Sequence, residues 1–174
     1  MFRKIISRYK WRKLRLLVWK KRLLRQLASI SPQAPALLCS LRLSWGPFYG
    51  GSVILDRKKE KAKIYIQVPY DRYVTSDEIQ VMSEYKIPAR ALPYFILFHE
   101  CYHLIDACCY LRDNEGKDLN AYQAALLGAV AKSTDYRRLH VEQCADDFAY
   151  RQYLACVKRA VKPTPIIQAS SLFL

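Results

Sequence analysis

Residues 94–105 read Tyr94-Phe95-Ile96-Leu97-Phe98-His99-Glu100-Cys101-Tyr102-His103-Leu104-Ile105, an apolar run with two histidines and a glutamate set inside it. Flanks this apolar belong to a buried helix, and Pro93 just ahead suits its first turn. Ionisable side chains inside such a helix are costly unless something satisfies them. On a helix, positions 99 and 103 lie one turn apart on the same face, so the two imidazoles can converge on one ion. Glu100 projects about 100° further round, within reach of a water at that ion but not a ligand itself. The spacing therefore predicts a Zn2+ site of hydrolytic type. Zinc lowers the pKa of its water towards about 7, and Glu100 is the acid/base expected to move the proton from that water to the leaving amine of a peptide bond.

Such a site needs a third protein ligand. A His at 109 preceded by Gly at 106 would mark one large class, but this chain has Asp106 and Cys109. Cys109, His140 and Glu142 are the alternatives. The stretch Glu142-Gln143-Cys144-Ala145-Asp146-Asp147-Phe148-Ala149 favours Glu142. It sets carboxylates at i and i+4, with Ala145 and Ala149 on one face where a second helix can approach closely. Glu142 would ligate the metal, and Asp146, one turn on, would accept the free N–H of a ligand histidine. His140 is about 200° from Glu142 around the helix and cannot share its face.

His99–His103 followed by Glu142-x-x-Ala145-Asp146-x-Phe148-Ala149 resembles the gluzincin arrangement of the ImmA/IrrE family of small metallopeptidases, over roughly residues 47–155. The resemblance implies a zincin-like fold, His99, His103 and Glu142 as zinc ligands, and Glu100 as catalytic acid/base. It also implies a cytoplasmic enzyme whose protein substrate is a transcriptional repressor or regulator. In gluzincins the strand before the active-site helix is commonly an edge that pairs with extended substrate. Here that strand is residues 62–68, which makes Ile64, Tyr65 and Ile66 expected substrate contacts. Tyr102, Tyr136 and Tyr150 are candidates for a hydroxyl aimed at the developing oxyanion, Tyr102 being the one adjoining the motif. Tyr102 also stands where the family has a small residue, and the segment between His103 and Glu142 has room for an extra helix.

Outward from the motif, the chain reads as α+β. A basic helix over 1–30 stops at Ser31-Pro32 and Pro35. Strands are expected at 37–45, 52–56 and 62–68, the last two joined as a hairpin with a charged turn at 57–61. Helices follow: one capped by Thr75 or Ser76 and closed by Pro88, then 91–112, 119–131 and 135–160. The expected organisation is a basic N-terminal helix within 1–35 packed on the domain, a metallopeptidase domain over 36–162, and a tail over 163–174.

The charge is lopsided. Of a net +14, residues 1–30 supply eleven Lys or Arg and no acid, which leaves the remainder close to neutral. That segment suits contact with nucleic acid, an anionic membrane or an acidic partner. A second reading of the whole chain is therefore a nucleic-acid or membrane adaptor with a structural zinc site. No run of 18 apolar residues occurs, and the six cysteines form no C-x-x-C pair, as expected of thiols in a reducing cytoplasm.

Overall fold

The computed structural model describes residues 8–30, 38–56, 61–70 and 74–158. The helix stop after residue 30, the charged turn at 57–60 and the tail over 163–174 lie outside the described residues. So do Phe2, Ile5 and Ile6 of the first helix and the end of the last one.

The element order is α1 (Arg8–Ile30), β1 (Leu38–Gly46), β2 (Gly50–Asp56), β3 (Lys61–Pro69), α2 (Ser76–Glu84), α3 (Leu92–Asp113), α4 (Leu119–Lys132) and α5 (His140–Gln152). This is an α+β fold with a small mixed sheet. The strand order is β1-β3-β2, with β3 parallel to β1 and antiparallel to β2. The expected β2–β3 hairpin is present, but β1 and β2, neighbours in sequence, do not pair. Their link crosses the end of β3, where Gln67 Nε2 donates to Phe48 O at 2.9 Å and Tyr70 N to Gly46 O at 3.1 Å. The Gln67 amide lies over Gly46, where a Cβ would sit 2.0 Å from it and would turn that side chain aside.

One expectation fails at this point. Residues 62–68 form the central strand, not an edge, and both sides of their backbone are taken by β1 and β2. Ile64 and Ile66 are core residues at 0% and 1% exposure, closed to substrate. Tyr65 lies on the opposite face, between Arg42 and Ser52. Lys63 shares that face, between Ser40 and Ile54, so its charge decorates a sheet surface and does not blunt an edge. The edge on the side of the motif is β2.

Ala62, Ile64, Ile66 and Val68 point to the helices, as alternation requires. Ile64, Ile66 and Val68 meet Leu92, Phe95, Leu97, Phe98 and Cys101 of α3, the buried central helix, and Ala62 meets its Leu104. α1 closes the β1 side, inserting Leu23, Leu27 and Ile30 and setting Trp19 edge-on to Tyr94 at 5.4 Å. Arg12 and Arg15 lie over the rings of Tyr70 and Trp45, and Trp45 Nε1 donates to Arg12 O at 3.1 Å. The helix is thus held on the domain by packing and by cation–π contacts. Leu17 and Leu24, by contrast, are exposed.

Thr75 caps α2, and Glu78 at its third position reaches back to the Thr75 N–H in a capping box. α3 opens behind Pro93 as predicted. The last helix departs from expectation at its start. Asp135 accepts from Arg137 N and caps a separate 3-10 turn, Tyr136–Arg138, and α5 begins only at His140 after an extended Leu139.

Candidate metal centre

α5 lies against α3 through Ala145 and Ala149, both fully buried. The absence of larger side chains lets the two helices close to the distance at which Glu142 meets the histidines. His99 Nε2 and His103 Nε2 are 3.1 Å apart. Glu142 Oε2 is 3.2 Å from the first, and Glu142 Oε1 is 3.5 Å from the second. Four-coordinate zinc holds N and O ligands at about 2.0–2.2 Å, which places neighbouring ligand atoms about 3.3 Å from one another. Taking one ligand atom from each side chain, the three lie within 4.8 Å of one another, and this buried group can hold a metal ion after a small inward adjustment. Glu142 Oε2 fits this role in another respect, since it is buried and makes no hydrogen bond.

His99 is oriented from behind. A carboxylate only accepts, so the 2.8 Å contact fixes Nδ1–H of His99 as the donor to Asp146 Oδ1 and turns Nε2 towards Glu142. Arg137 Nη2 holds the other oxygen, Asp146 Oδ2, at 2.5 Å. Asp146 is 6% exposed, while the Arg137 side chain reaches it from a partly exposed position. On the far side of the motif, Tyr122 of α4 donates to Asp106 Oδ2 at 2.9 Å and pins the lower half of α3.

The electrostatics follow from this packing. Burial works against a charged His99, but Asp146 and Glu142 outweigh it and hold its pKa up at about 9. Burial and the neighbouring His99 charge push His103 down. Glu142 is lowered: burial would raise it, but His99, the Tyr136 hydroxyl and His103 stabilise its charge more. Glu100 is raised to about 7, chiefly by burial, with His99 opposing and Glu142 adding to the rise. A carboxylate poised near neutrality is suited to general acid/base work.

Glu100 lies at the junction of two clefts. One, of roughly 200 Å³, includes Gly51, Ile96, His99 and Arg137 in its lining; the other, of roughly 220 Å³, includes Val53, His103 and Glu142. Glu100 and Tyr136 line both. Gly51, Val53 and Leu55 share one face of β2, so this edge strand runs along both clefts.

Of the residues expected at the site, His99, Glu100, His103, Glu142 and Asp146 come together. Ile64, Tyr65 and Ile66 do not. Tyr102 packs its ring on Phe148 at 5.7 Å and Tyr150 on Tyr85 at 5.1 Å, away from the cleft linings, which leaves Tyr136 as the tyrosine at the clefts. His140 is exposed at the start of α5 beside Cys144, and Cys109 is outside the metal-ligating group. Arg137 carries no sequence signal of its role. Its neighbours Asp135 and Arg138 make it look like one more solvated charge. Comparison with protein-family models, curated proteins and solved structures finds no match to this chain.

Proposed function

We propose that this chain is a zinc-dependent peptidase of gluzincin type, with His99, His103 and Glu142 as metal ligands and Glu100 as catalytic acid/base. The observation that carries the reading is the meeting of Glu142 with both motif histidines in one buried group, with Glu100 buried beside them and outside that group. When bound, zinc supplies a Lewis acid that polarises the scissile carbonyl and acidifies water towards neutrality. Glu100 takes a proton from the attacking water and returns it to the leaving amine, for which a pKa of about 7 is well matched. Asp146 and Arg137 hold His99 in the tautomer that leaves Nε2 free for the ion. The Tyr136 hydroxyl, raised in pKa by burial and by its hydrogen bond to Glu142, stays protonated, and once Glu142 ligates the ion that O–H is released to donate to the developing oxyanion.

The substrate would lie extended along the open side of β2, where backbone groups of Gly50–Asp56 opposite the β3 ladder are available to a further strand. The fitting substrate class is a protein segment able to become extended, and the family resemblance points to a transcriptional regulator. Among the described residues no helix is long and apolar enough to cross a membrane.

The test is Glu100→Gln. Zinc-loaded wild-type protein is expected to generate new termini in unfolded protein substrates, detected by mass spectrometry. The variant should keep its zinc and lose cleavage by about 10²–10⁴-fold. Equal cleavage by the variant, or none by the zinc-loaded wild type on any unfolded substrate, would remove the peptidase reading.

A further inference from the structure

The outer surface of α1 is the largest feature that the metal centre leaves unused. At about 100° per residue, Leu16, Trp19, Leu23, Leu27 and Ile30 form the inner face, and all five are buried or half-buried. Away from it stand Leu14 and Val18 on the opposite side and Leu17 and Leu24 on the adjoining flank, exposed at 51%, 44%, 63% and 41%, with Trp11 at their margin at 53%. Lys20, Lys21 and Arg25 are interleaved with them, and Leu17, Lys20, Lys21, Leu24, Arg25 and Ala28 line one shallow apolar groove. The helix contains no Asp or Glu. A soluble surface helix ordinarily turns a polar face to water. This one presents bulky aliphatic side chains fringed by cations on its outer side.

We propose that this face of α1 docks on an anionic phospholipid bilayer, lying in the interface plane with its leucines among the acyl boundary and its lysines at the headgroups. Three observations select this occupant. Aliphatic side chains gain by entering the apolar boundary but gain nothing from a phosphodiester backbone. Three of the five arginines of α1, the side chains suited to grip phosphate in bidentate fashion, are turned to rings of the chain itself: Arg12, Arg15 and Arg22 lie over Tyr70, Trp45 and Trp19, which leaves Arg25 beside the lysines of the groove. A second copy of the same face would bring like charges together, since α1 has nine Lys or Arg and no acid. Trp11 sits at the margin, where an amphipathic ring favours the membrane–water boundary. α1 packs on α3 and β1, whereas the metal centre opens along β2 at the other edge of the sheet, so docking leaves the clefts free. The inference rests on this surface and not on the chemistry at Glu100.

Vesicle flotation of the full chain tests it, with phosphatidylcholine alone and with phosphatidylcholine containing phosphatidylserine at about three parts in ten, a leaflet charge that gives each nearby Lys or Arg roughly fivefold in partitioning. The chain should float with the anionic vesicles and not with the neutral ones. Leu17→Ser/Leu24→Ser should cut partitioning at least about tenfold, and so should Lys20→Glu/Lys21→Glu. Unchanged circular dichroism in these variants guards against misfolding; if the first pair unfolds, Leu14→Ser/Val18→Ser on the same outer surface replaces it. The proposal is overturned if anionic vesicles leave the chain behind or if the leucine variant floats as well as wild type. It also falls if a DNA or RNA duplex competes the chain off the vesicles and is bound by the leucine variant with undiminished affinity, which would make the face a nucleic-acid surface.

Discussion

Gly51 and Glu100 approach each other so closely that a Cβ on the glycine would sit 2.4 Å from Glu100 Oε1 and 2.5 Å from Ile96 Cγ2. The missing side chain is what allows β2 to run directly beside the acid/base. Glu100 is 8% exposed but lines both clefts, so an added methyl would push its carboxylate towards them.

Gly51→Ala should therefore displace the Glu100 carboxylate and spare the metal ligands. A misplacement of about 1 Å can cost about 10²-fold in rate. The expected result is a fall of that order in kcat with metal content unchanged, measured by steady-state cleavage beside elemental analysis. Loss of the metal in this variant would show that β2 supports the ligands as well.

Asp146→Asn and Arg137→Met probe the support behind His99. Removing such an orienting partner weakens metal binding by about 10–100-fold. Arg137→Met should act through Asp146, so combining the two changes should cost little more than Asp146→Asn alone. Competition with a chelator of known affinity measures each constant, and full additivity would mean that Arg137 works by some other route.

The pH dependence of metal binding follows from His99. Without metal its pKa is raised to about 9, above the usual 6.5, so at neutral pH an entering ion must displace a proton. Affinity should rise about tenfold per pH unit below pH 9 on account of this group, with proton release detectable in buffers of different ionisation enthalpy. The sign for stability is opposite. A raised histidine pKa stabilises the chelated, metal-free protein fully below about 6.5, and that contribution is lost as the pH climbs through 9. Thermal melts in chelator at pH 6 and pH 9.5 compare the two ends of this window.

Ala145→Leu tests the helix contact. Ala145 is fully buried between α3 and α5, and extra methylenes in a packed core cost about 1–3 kcal/mol. The same wedge would carry Glu142 away from the histidines. A lowered denaturant midpoint together with reduced zinc affinity is expected, while Ala145→Gly should weaken stability and retain most of the metal binding.

The motif helix and its partner were legible because their signals are local. Two histidines one turn apart define a face, and Ala145 with Ala149 define another that fits against it. Alternation in residues 62–68 likewise told which side of the strand is buried. It could not tell which strands lie on either side, because side-chain period reports a face and not a neighbour; the edge assignment failed there. Arg137 was hidden for a related reason. Helical periodicity runs on smoothly from Asp135, and only the capping of Arg137 N by Asp135 breaks it into a separate turn that aims the guanidinium back at Asp146. The inner and outer sides of α1 were blurred because both carry leucines, and burial alone separates Leu23 from Leu24.

The position of β3 between β1 and β2 has a kinetic consequence. β2 and β3 close locally as a hairpin, but β1 cannot find its hydrogen-bonding partner until β3 has been made, although it precedes both in the chain. Pairing of β1 with β3 is the non-local step, and its loop-closure entropy falls due late. The hairpin carrying the cleft edge can therefore form before β1 joins it. Destabilising changes in β1 would then speed unfolding more than they slow folding.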